Sequence, residues 1–165
     1  MAFGAMGMLG AGWNIVAGVV VQASSIVDGV DGDLARAKNM ASKFGGIFDA
    51  VLDRFADCAI AAGMAWYAHE HEDWPKALVV GFAAAVGFLL VSYSRARLER
   101  EAGMDAVSEL LGIASRDVRL LALAIGCVAG QAYWALVIVG AASYATVAWR
   151  LWAFRSVDAR PDAGP

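Results

Sequence analysis

Charge is scarce in this chain: only 18% of its 165 residues are Asp, Glu, Lys or Arg, against about a quarter in an ordinary soluble domain. Histidine and cysteine occur twice each and proline three times. Cys58 and Cys127 both lie inside apolar runs, where they behave as small buried hydrophobes, so no disulfide and no redox compartment are implied. No basic block marks a nucleic-acid footprint, and the net charge of −3 says little about partners because the charges are segregated by loop. The first apolar run has no Lys or Arg before it, which argues against a cleaved signal peptide despite the small residues at Val21-Gln22-Ala23. What fills the chain instead is apolar: 60% hydrophobic residues and a mean hydropathy of +0.58. It reads as a single-domain (1–165), all-α, polytopic membrane helical bundle.

Five spans are expected. The first run, about Phe3 to Val27, is uncharged and long enough to cross about 30 Å of hydrocarbon. The second covers Phe44 to about Ala68 and the third Ala77 to about Tyr93, separated by the loop His69–Pro75. That loop alternates His with Glu, which could suggest a metal site, but a solvated turn explains it better. From Glu99 to Asp117 the mixed pattern suits an amphipathic connector lying on the membrane. The tract from Val118 to Phe154 is too long for one span and divides at Gly130-Gln131 into two antiparallel helices. The tail 156–165 should fray. Twelve Lys and Arg residues fall on one side of this arrangement and Lys76 alone on the other. The crowded side is therefore cytoplasmic, with the N-terminus outside and the C-terminus inside.

Against this apolar background stand four carboxylates: Asp28, Asp31, Asp49 and Asp53. Each pair falls on one helix face, so two facing helix ends could present all four to one point. Acids near a bilayer cost about 2.5–3.5 kcal/mol each at the helix centre. Divalent cations are the natural compensation, and hard cations take oxygen ligands.

The full pattern is Asp28-x-x-Asp31-Gly32-x-x-Ala35-Arg36, eight residues, then Gly45-x-x-x-Asp49-x-x-x-Asp53. It resembles the motif of the CDP-alcohol phosphotransferase family at all eight fixed positions. These are membrane enzymes that move a phosphate-bearing group from a CDP-linked donor to an alcohol and release CMP. Two solvated helix ends would explain the acids but not the intervening Gly, Ala and Arg. Members of the family usually have six transmembrane helices, so the resemblance implies that the first is absent here.

For transfer from a diphosphate, two ions about 3.5–4 Å apart can neutralise the developing charge. Asp28, Asp31 and Asp49 are the expected ligands of Mg²⁺ or Mn²⁺. The resemblance adds Asp53 as both a metal contact and the general base on the acceptor hydroxyl. It places Gly32, Ala35, Arg36 and Gly45 at the CDP moiety of the donor. The run Ser92 to Arg97, followed by the Arg116 and Arg119 pair, is also similar to the family, and in members that use inositol phosphate arginines of this region and a basic residue near the third family helix hold the acceptor phosphate. Lys43, Arg95, Arg97 and Arg116 are the candidates for that pocket.

The expected reaction is phospholipid synthesis, with CDP-diacylglycerol as donor and inositol phosphate or glycerol phosphate as acceptor. A CDP-inositol:inositol-phosphate transferase of the di-inositol phosphate phosphate synthase type is the alternative, because the run Val21 to Gly32 is similar to that branch. A rival of another class is a divalent-cation transporter, which would need acids spread through the membrane depth. A homodimer is expected from the resemblance and from small-residue faces such as Gly126-x-x-x-Gly130.

Overall fold

The computed structural model describes residues 2–23, 42–102 and 116–158. They form six helices: α1 (Ala2–Gly10), α2 (Asn14–Ala23), α3 (Lys43–His71), α4 (Ala77–Ala102), α5 (Arg116–Val128) and α6 (Ala132–Asp158). Short links make α3 and α4, and α5 and α6, antiparallel neighbours. α6 packs on both α4 and α3. The core where they meet is built from Ile60 and Met64 of α3, Phe88 of α4, Leu123 of α5 and Leu136 of α6. Outward-facing Val79, Phe82, Leu151 and Trp152 are each more than half exposed, which suits a surface bathed in lipid rather than water. Among the described residues two helices, α4 and α6, are long and apolar enough to cross a membrane.

Over its described part, residues 3–23, the expected single span is broken in two. The chain turns at Gly12, whose φ of +81° only glycine adopts cheaply, and a Cβ there would come within 2.9 Å of His71 Nε2. α1 lies alongside α3 in the same direction, with Met6 against Gly63 and Gly12 against His71. α2 then runs back along α5, its Asn14 amide donating to the Cys127 carbonyl at 3.1 Å. At nine residues, α1 is about 14 Å long and cannot span hydrocarbon. The first run is two helices.

Other boundaries move for identifiable reasons. α4 continues past Tyr93 to Ala102 because Arg95 pairs with Glu99 (2.7 Å) and Arg97 with Glu101 (3.4 Å) one turn on. α3 runs through His71, which stacks on Tyr67 at 4.8 Å. Glu72 is not a solvated loop residue: its carboxylate accepts from the Ala132 and Tyr133 amides (2.9 and 3.1 Å), capping α6. α6 includes 156–158 of the expected tail.

The division at Gly130 holds, with φ +67° at the turn. Gly126 lets α5 and α6 approach within that hairpin, since a Cβ there would collide with Ala135. Its small surface is therefore used inside the chain and does not support a dimer face. The connector and residues 159–165 lie outside the described residues, except for the ends of α4 and α5.

Candidate functional site

α3 begins at Ser42, whose hydroxyl accepts from the Gly45 amide at 2.9 Å and caps the helix. From there Asp49, Asp53 and Asp57 recur every fourth residue, a row of carboxylates down one face. The row descends into the bundle: Asp49 is exposed, Asp53 half-buried, and Asp57 only 2% exposed. Asp28, Asp31, Gly32, Ala35 and Arg36 lie outside the described residues.

A buried carboxylate must be paired or neutral. Asp57 is met by two arginines of α5: Arg119 Nη2 at 2.9 Å from Oδ2 and Arg116 Nε at 3.3 Å from Oδ1. Arg54 approaches to 4.0 Å. Arg116 also reaches Asp53 with Nη1 at 3.0 Å, so one guanidinium bridges two successive carboxylates of α3. Arg119 lies over the Phe88 ring, 5.1 Å from its centroid.

The fourth helix of this cluster contributes Arg150, which is 1% exposed. Its Nη1 donates to the Val91 carbonyl (2.8 Å) and to Ser94 Oγ (3.2 Å) of α4. Among the described residues its buried Nε finds no hydrogen-bond partner.

These side chains enclose a cavity of about 380 Å³, lined by Arg54, Arg95, Glu99, Arg116, Arg119 and Arg150 among others. That volume lies within the range of small-molecule sites, about 300–1,000 Å³. Its cationic wall suits an anion, and guanidinium forks suit phosphate in particular. Across Ala50, Arg54 and Ser92 it adjoins an apolar groove of about 840 Å³ between α3 and α4, with Lys43 and Ile47 in its wall. Of the four acceptor-pocket candidates, the structure brings Arg95 and Arg116 into the cavity. Lys43 lines the groove instead, and Arg97 is exposed and paired with Glu101.

Sequence reasoning pairs Arg119 with Arg116 without making it a pocket candidate, and it gives Arg54, Arg150 and Asp57 no site role. The four-residue recurrence Asp49, Asp53, Asp57 was the available signal for the last. For the arginines, a position beside the membrane explains each one singly.

Asp49 and Asp53 offer hard oxygen donors one helical turn apart, with Asp49 open to solvent. This fits one side of a Mg²⁺ or Mn²⁺ site. Among the described residues no group of three His, Cys, Asp or Glu side chains could close such a site.

Comparison with known proteins shows the family. Residues 1–149 match the CDP-alcohol phosphatidyltransferase family. A bifunctional IPC transferase and DIPP synthase of Rubrobacter xylanophilus is 44% identical over 90% of this chain and 33% of its own length. A phosphatidylinositol phosphate synthase of Mycobacteroides abscessus is 31% identical over 90% of the chain and 69% of that protein. An archaetidylinositol phosphate synthase of Pyrococcus horikoshii is 37% identical over 68% of the chain and 55% of that protein. The chain thus spans about a third of the length of the Rubrobacter relative. With its family pattern over residues 28–53 and a match across 1–149, the chain belongs to the CDP-alcohol phosphatidyltransferase family.

Proposed function

We propose that the chain transfers a phosphate-linked group from a CDP-activated donor to an inositol phosphate, releasing CMP. The observation that carries this reading is Arg116, which touches Asp53 and also lines the cationic cavity. A general base and an acceptor-phosphate site must lie within one small molecule's reach of each other, and here one side chain joins them. Inositol phosphate is chosen over glycerol phosphate because two of the compared relatives are named for inositol phosphate lipids.

Asp53 takes the proton of the acceptor hydroxyl. Arg95, Arg116, Arg119 and Arg150 hold its phosphate and aim the hydroxyl at the donor. Asp28, Asp31, Asp49 and Asp53 hold the divalent ions that the family generally requires, here two Mg²⁺ or Mn²⁺. When bound, these neutralise charge on the diphosphate and on the departing CMP. Gly32, Ala35, Arg36 and Gly45 cradle the CDP moiety, leaving room for the nucleotide. The one-sided distribution of Lys and Arg supports an active site that faces the cytoplasm in a multi-pass cell-membrane protein whose C-terminus is inside, and family membership is what supports a homodimer.

Support for a lipid donor, CDP-diacylglycerol, comes from the apolar groove that opens off the cavity beside Lys43 and Arg54. A second reading, CDP-inositol as donor, is favoured by the 44% identity to the Rubrobacter protein. Purified chain supplied with Mg²⁺, inositol phosphate and each donor in turn decides between them by mass spectrometry of the product. A phosphatidylinositol phosphate product is expected. Di-inositol product alone selects the second reading, and metal uptake into proteoliposomes without CMP release from either donor would point to a transporter.

A further inference from the structure

Asp57 sits behind the cavity wall rather than in it, and none of the roles above uses it. It is nevertheless the point at which α3 grips α5. One oxygen faces Arg116 Nε at 3.3 Å and the other faces Arg119 Nη2 at 2.9 Å, so the carboxylate holds two cavity arginines at once. Both guanidinium groups carry further N–H donors in a rigid fork, and fixing one edge fixes the direction of the rest. Arg119 is held on its other side by the Phe88 ring, 5.1 Å away. Arg116 is shared with Asp53, one turn along the same helix. Long arginine side chains lose considerable rotamer freedom when they bind an anion, and a partner that orders them beforehand removes that cost from the binding step.

We propose that Asp57 is a positioning residue for the acceptor-phosphate pocket, setting Arg116 and Arg119 in register with each other and with Asp53. This rests on the reading of the cavity as the acceptor site. It differs in sign from a simple charge effect. Removing a buried negative charge makes the cavity more positive, so charge alone predicts that Asp57→Asn binds an anionic acceptor more tightly. Positioning predicts weaker binding. Asp57→Glu separates the two again, because it keeps the charge and displaces the carboxylate by one methylene. Charge alone then predicts no change, and positioning predicts a loss.

The test uses the full chain in detergent with saturating CDP donor and Mg²⁺, and myo-inositol 1-phosphate as the varied acceptor. Asp57→Asn should raise the acceptor KM by about 10- to 100-fold, the range for losing charged hydrogen bonds, while kcat falls by a smaller factor. Asp57→Glu should raise KM by an intermediate factor. If Asp57→Asn does not fold, Asp57→Glu decides alone: a raised acceptor KM supports the proposal. An unchanged or lowered KM in either folded variant overturns it. Arg150→Met, measured in parallel, keeps this separate from the underlying reading. A raised KM there with normal KM in the Asp57 variants sinks only the positioning role, whereas normal KM in all three sinks the acceptor site itself.

Discussion

The two ends of the bundle contain similar residues and use them differently. At the His71 end, Glu72 accepts from two amides of α6, Asn14 donates to the Cys127 carbonyl, and Trp74 stacks on Tyr133 at 4.4 Å. Glu72 and Asn14 are thus matched to backbone groups, and Trp74 of the α3–α4 link packs on the first turn of α6. At the Arg116 end, five arginines line one cavity, and among the described residues Asp53, Asp57 and Glu99 are carboxylates beside them. Buried polar groups are costly unless satisfied, so an end whose buried polar groups cap backbone is an anchor, whereas guanidinium groups gathered around a cavity suit an anion. Arg150 expresses the difference most sharply, being 1% exposed with a guanidinium nitrogen that has no partner among the described residues.

The largest effect should come from the carboxylate row at the Arg116 end. Asp53→Asn keeps the size and one oxygen but cannot accept the proton. CMP release at saturating Mg²⁺ should fall by about 10²- to 10⁴-fold, with donor binding weakened but retained. Near-normal turnover would remove Asp53 as the base. At the other end the effect should be one of stability alone. Glu72→Ala leaves the Ala132 and Tyr133 amides without their acceptor and should cost about 1–2 kcal/mol, read as a lower unfolding midpoint in detergent. The acceptor KM should not move; if it does, the two ends are not separable as described. The smallest effect belongs to Arg97→Ala. Its pair with Glu101 is exposed and outside the cavity, and such pairs contribute about 0–1 kcal/mol. An acceptor KM raised tenfold in this variant would return Arg97 to the site.

The sequence made some of these features visible and hid others, for physical reasons. The α5–α6 division could be read at Gly130-Gln131 because the apolar tract was too long for one crossing. The break at Gly12 could not, because it lies within an uncharged run where hydropathy does not distinguish a turn from a continuing helix. Sequence alone shortens α4 because Arg95 and Arg97 suggest an interface, while Glu99 and Glu101, the i,i+4 partners that extend the helix, suit a polar connector equally well. At the site, Asp49 and Asp53 were legible from their spacing. Arg119 and Arg150 were not, since a cation beside a membrane has a sufficient explanation in topology. Only three-dimensional packing places them against Asp57 and Ser94 in the interior.

The central claim is that the Arg116 end holds the phosphate of the acceptor. The most direct measurement is the acceptor KM of Arg150→Met, which approximates the side-chain volume and removes every donor. Steady-state CMP release with varied myo-inositol 1-phosphate at saturating CDP donor should show KM raised by about 10- to 100-fold, with the donor KM within about twofold of the parent. An unchanged acceptor KM in a folded Arg150→Met protein would contradict the account.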